Sequence, residues 1–255
     1  MRITFGAMVV ALLVAGIYLG RNASEPSTAP PAPEPVPVPA QPVPAPSPSP
    51  EAQPPQPAPA PMPLLPSLHD SDPFVLDWLG AFDLPSAWTQ REDLVRRLAV
   101  IIDNAPRGDY PHRQLGFLAP ATSFKVIRRG DEIYLDPANY DRYKTHLDVL
   151  ERVSPEMLAD LLVRLEPLLR QALGELGNRR GVLAQIRDGA ASIIALEALP
   201  GDVRLVQPNV FYQFADPRLE ALSPLHKQAL RLGPENLTRL QRYLAGLQAA
   251  LANAR

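Results

Sequence analysis

The chain contains no cysteine. That removes disulfides, thiolate metal sites and cysteine nucleophiles together, and leaves the core alone to stabilise the fold. Lysine is nearly missing too: Lys125, Lys144 and Lys227 are the only three, and arginine carries the remaining positive charge. Net charge is small, −2 from 25 basic and 27 acidic side chains. Residues 1–66 hold Arg2 and Arg21 against Glu25, Glu34 and Glu51, which leaves 23 basic and 24 acidic groups beyond them. Such a balance offers no attraction to nucleic acid. The four histidines, His69, His112, His146 and His226, include no pair at ligand spacing, and no His-Glu-x-x-His string exists. Ser192 lacks the Gly-x-Ser-x-Gly context, no serine stands three before a lysine, and there is no phosphate loop. No metal and no cofactor is expected.

What is present comes in a telling order. Ile3 to Gly20 is an uncharged apolar run, and 18 residues at the helical rise span about 27 Å, near the thickness of a bilayer's hydrocarbon. The small residues that a signal peptidase needs are poorly placed around Tyr18–Ala23, so an uncleaved signal anchor over residues 1–21 is expected. Residues 22–66 follow as a spacer, in which Pro26 to Pro66 supplies 19 prolines in 41 residues. Proline fixes φ and lacks a donor, so polyproline II is the remaining preference and the reach extends to roughly 125 Å. Residues 67–255 then read as one domain.

Within that domain a capping residue followed by proline recurs: Asp72-Pro73, Asp136-Pro137, Ser154-Pro155, Asp216-Pro217 and Ser223-Pro224, with Gly233-Pro234 a weaker version. Thr89 and Glu92 have the spacing of a capping box. Leu158, Leu161, Leu162, Leu165, Leu168, Leu169, Ala172, Leu173 and Leu176 form a helical stripe ending at Gly177, with Pro167 expected to kink or divide it. Leu94, Val95, Leu98, Ile101 and Ile102 mark an earlier helix, and Leu183, Ile186, Ala190, Ile193 and Ile194 a later one. The last helix carries Leu237, Leu240, Leu244, Leu247 and Leu251; docking on the core is the expected use, self-association the weaker one. Phe124–Ile127 and Ile133–Leu135 flank Arg129-Gly130-Asp131 as a hairpin, and Val203–Val206 with Val210–Phe214 suggest another. The fold class is therefore mainly α (α+β): a helical domain with one or two short β-hairpins, preceded by a transmembrane helix and a disordered proline-rich linker.

Several strings beyond Ser67 resemble one bacterial family. They are Ser71-Asp72-Pro73-Phe74, Asp103-Asn104-Ala105-Pro106, Asp136-Pro137-Ala138-Asn139-Tyr140 with Tyr143, and Glu175-Leu176-Gly177. Phe214-Ala215-Asp216-Pro217 with Leu219-Glu220, and Leu230-Arg231-Leu232-Gly233-Pro234-Glu235-Asn236, complete the set. Together they resemble the family known as domain of unknown function 3014, with a departure at Asn178-Arg179-Arg180, where a more apolar or aromatic continuation is usual. The resemblance implies an envelope protein with an amino-terminal anchor and supplies no reaction.

Asp136, Asn139, Tyr140 and Tyr143 are the candidate ligand-binding residues, since polar and aromatic groups together can hold a sugar or peptide. The same residues are also explained as a cap and a helix face. Asp216 and Glu220 could pair as acid and base, but adjacent turns of one helix seldom flank a substrate. His226-Lys227 near Arg231 reads as a solvated helix face. The expected function is a non-catalytic interaction or scaffold domain of the bacterial cell envelope. It is anchored in the inner membrane by a single pass through residues 3–20, with its C-terminal domain in the periplasm and an envelope protein or peptidoglycan as partner. The alternative is a cell-wall or glycan-directed enzyme that uses acidic residues.

Overall fold

The computed structural model describes residues 65–82, 84, 92–120, 122–199 and 201–254. The anchor, the spacer and the Thr89–Glu92 capping box therefore lie wholly or partly outside the described residues. The helices are α1 (Asp72–Leu79), α2 (Leu94–Asn104), α3 (His112–Leu115), α4 (Lys144–Leu150), α5 (Pro155–Glu175), α6 (Val182–Ile194), α7 (Pro217–Glu220), α8 (Pro224–Leu230) and α9 (Pro234–Asn253). Short 3-10 turns at Ala105–Arg107, Gly116–Leu118 and Pro137–Tyr143 join them. Strands β1 (Val126–Arg129), β2 (Glu132–Leu135), β3 (Arg204–Val206) and β4 (Gln213–Phe214) form one antiparallel sheet in the order β1-β2-β3-β4. The two hairpins read from the sequence are thus one sheet, stitched by Ile133 opposite Leu205.

Helix starts follow the cap-and-proline device at four places. Asp136 accepts from the amide of Ala138, Ser154 from Met157, Asp216 from Arg218 and Ser223 from His226. The fifth differs. Asp72 lies inside α1, and its carboxylate accepts from the amides of Asp93 (2.7 Å) and Leu94 (2.8 Å), so it caps α2 instead. That bridge offsets a strained residue: Asp93, in the N-cap position of α2, has φ 57°, a left-handed conformation rarely held by residues other than glycine.

Helix α5 packs on α2 along one side and on α9 along another, and α6 packs on α9. The expected α5 stripe is buried from Leu158 to Leu173, whereas Leu176 is 49% exposed beyond the helix end. Pro167 does not divide the helix, which runs unbroken through it. Neighbouring Leu165, Leu168 and Leu169 are buried and hold that stretch in place against the lost backbone bond. The α9 leucines, Leu237 through Leu251, are all buried in the same core, which leaves none of them for a self-association seam.

Helix α6 turns a slightly different face inward than its apolar spacing indicates. Val182, Gln185, Gly189, Ala190 and Ile193 are buried, while Leu183, Ile186 and Ile194 are only partly so. Gln185 is admitted because Asn178 donates to its Oε1 at 2.7 Å and its own Nε2 donates to the carbonyl of Arg180 at 3.2 Å. Asn178 also donates to Asp103 at 2.5 Å, so the Asn178-Arg179-Arg180 departure contains a polar knot between α2 and α6. Among the described residues no helix is long and apolar enough to cross a membrane.

Candidate functional site

The 3-10 turn Pro137–Tyr143 sits where the sheet, α8 and α9 meet, and the sequence-nominated residues lie on it. Asp136 is its cap. Asn139 is buried and behaves as a strand surrogate: its Nδ2 donates to the carbonyls of Lys125 and Asp136, both at 2.7 Å, and its Oδ1 accepts from the amide of Lys125 at 2.9 Å. This latch fastens the turn to the residue that leads into β1. Tyr140 is half-buried against Gly233, where a Cβ would lie 2.3 Å from its ring. Asn236 pins the same contact by donating to the carbonyls of Tyr140 (2.9 Å) and Leu232 (3.0 Å). Tyr143 is fully buried, and its hydroxyl is approached by the Nε2 of Gln228 at 3.5 Å. Two of the strings quoted above, around Tyr140 and Gly233, thus converge at one place, and Arg231 of the second lies near the ring of Phe214 in a third. Their polar groups are largely engaged by the chain's own backbone.

The acidic pair is engaged as well. Asp216 caps α7, and Glu220 accepts from the amide of Phe214 at 2.9 Å and from Lys227 at 2.7 Å. Lys227 also donates to the carbonyl of Glu220 at 3.0 Å. Neither carboxylate faces the other across a cleft from a separate element. The reading of His226, Lys227 and Arg231 as a solvated face is therefore corrected: Lys227 is half-buried on Glu220, and His226 has a buried Nε2 with no partner among the described residues.

Arg231 is the exception to this self-sufficiency. It follows α8 and is set deep enough that burial lowers the affinity of its guanidinium for a proton. Its Cζ lies 5.9 Å from the centre of the Phe214 ring, a cation–π distance. Yet among the described residues no hydrogen bond or ion pair engages the guanidinium, while Arg96, Arg107, Arg129, Arg170, Arg180 and Arg239 each hold a carboxylate. Beside it His112 is exposed, its ring edge-on to that of Tyr110 at 4.6 Å between centres. Burial first and the charge of Arg231 second push the pKa of His112 below the usual histidine value, which favours a neutral ring. Spacing could not reveal this group. The one clue in the sequence is an arginine between two leucines, Leu230-Arg231-Leu232, at the junction of two helices.

Elsewhere, an open groove of about 350 Å³ runs between the start of α5 and the end of α9, lined by small residues with Glu156 and Asp160. Among the described residues no group of three or more His, Asp or Glu side chains is arranged to hold a metal ion. No curated protein and no solved structure matches the chain. Residues 94–248, from the first residue of α2 to the last turns of α9, match the family described as protein of unknown function (DUF3014), and the chain belongs to that family.

Proposed function

We propose that this chain is a membrane-tethered, non-catalytic interaction protein of the bacterial cell envelope. Residues 1–21 form a signal anchor in the inner membrane, residues 22–66 hold the domain away from the lipid, and the domain meets an envelope protein or peptidoglycan in the periplasm. The observation that carries this reading is the fate of the chemically suggestive side chains. Asp136, Asp216 and Glu220 are each spent on backbone amides, and Asn139 is spent on Lys125. A side chain fixed this way is poorly placed to shuttle protons. Tethering raises the effective concentration of the domain near its partner, so modest intrinsic affinity suffices. Expression of the full chain with a carboxy-terminal tag, followed by membrane fractionation and protease treatment of spheroplasts, tests the topology. Recovery of the tag in membranes and its loss to external protease are expected. A freely soluble product beginning near residue 17 or 24, or a protease-shielded domain, would overturn the tether.

A further inference from the structure

We propose that Arg231 is the receptor for a ligand carboxylate, with the Phe214 ring as one wall and His112 at the rim. The inference goes beyond the tethering reading and holds for the domain whether or not it is anchored. An arginine guanidinium has five N–H donors in a fixed planar fork. Among the described residues none of these donors has a partner, which leaves the fork free for a group that arrives from outside. Glu220, the carboxylate whose field reaches Arg231, is turned to Lys227 and the amide of Phe214 and makes no ion pair with Arg231 among the described residues. Among the described residues the guanidinium nitrogens make no hydrogen bond, and Arg231 keeps part of its surface open to solvent.

The chemistry selects the ligand. The fork of a guanidinium matches the two oxygens of a carboxylate in a bidentate pair, and a ring stacked near it keeps water from one side. A single positive charge balances a single negative one. The neighbouring cation, Lys227, is committed to Glu220, so the second charge of a phosphate dianion would go unmatched. His112 adds a hydrogen-bond donor without adding charge when its ring is neutral. The ligand class is therefore a free carboxylate, such as the terminus of a peptide.

The test is calorimetric titration of the full chain in detergent at neutral pH and low salt, with three probes: acetyl-alanyl-alanine, its carboxy-terminal amide, and inorganic phosphate. The acid should bind at least tenfold more tightly than the amide and more tightly than phosphate. Arg231→Gln should weaken acid binding at least tenfold, with an unchanged far-UV spectrum. Absent binding of the acid, equal binding of acid and amide, preference for phosphate, or unaltered binding by Arg231→Gln would each overturn the assignment. Should that variant fail to fold, the discrimination between acid and amide by the parent decides the matter alone.

Discussion

Replacing Gly233 by alanine should destabilise the domain by about 2–6 kcal/mol, and the reasons can be separated. Gly233 has φ 84° and ψ 165°, a region that residues with a Cβ enter at a cost of about 1–3 kcal/mol. The new methyl carbon would also stand 2.3 Å from Cγ and 2.5 Å from Cδ1 of Tyr140, far inside contact distance. Overpacking of that kind costs about 1–3 kcal/mol more. The ring has little room to yield, because Asn236 holds the backbone of Tyr140 and of Leu232 on either side. Equilibrium unfolding in urea, followed by far-UV circular dichroism, is the assay. With a slope of about 2 kcal/mol per molar for a domain of this size, the midpoint should fall by about 1–3 M. Tyr140→Ala, made alone and together with Gly233→Ala, isolates the steric part: truncation at Cβ removes the clashing Cγ and Cδ atoms but not the dihedral strain. The cycle should show a coupling of about 1–3 kcal/mol. A cost below about 1 kcal/mol for Gly233→Ala, or strict additivity in the cycle, would refute the packing described for this junction.

Asn139→Ala should cost about 2–3 kcal/mol in the same assay, since it strands the amide and carbonyl of Lys125. Asn139→Asp should be worse, because a carboxylate would then face two carbonyl oxygens. Gln241→Ala should lower stability by about 1–2 kcal/mol, because Nε2 of Gln241 serves the carbonyls of Ile193, Ile194 and Leu196 at the end of α6; an unchanged midpoint would refute that capping role. Stability should also fall on acidification in two stages. His146, His226 and His112 all bind protons less readily in the folded state, chiefly through burial, so their contribution is complete above the unfolded value near 6.5 and diminishes as pH drops below it. Arg107 first, then Asn178, hold the pKa of Asp103 below 3.8, and its contribution is lost below about pH 4. A melting temperature that stays flat from pH 7.5 to 5.5 would contradict the first stage.

Features governed by neighbours in sequence were legible in advance. Ser154, Ser223, Asp136 and Asp216 could be named as caps because cap, proline and first free amide lie within four residues of one another. The turn at Gly130 and the burial of the α9 leucines follow from equally local patterns. Long-range pairings were hidden. Nothing in Ile133 or Leu205 announces that they face each other, so two hairpins were visible and one sheet was not. Gln185 concealed the inward face of α6, since a polar residue breaks an apolar stripe until its partners Asn178 and Arg180 are placed beside it. At the candidate site, Asp136 through Tyr143 could be singled out by composition, but their engagement depends on Lys125, Gln228 and Asn236 from three other segments. Arg231 was hidden for the opposite reason: its character lies in the hydrogen bonds and ion pairs that it lacks among the described residues.

The bridge from Asp72 to the start of α2 has a practical corollary for where this domain begins. The family match opens at residue 94, one position after Asp93. A recombinant chain started there would discard the acceptor for the Leu94 amide along with Val75 and Leu79, both packed into the shared core. The packed core therefore reaches back at least to Leu68, whose carbonyl is fastened by the hydroxyl of Ser71, and the match covers only part of it.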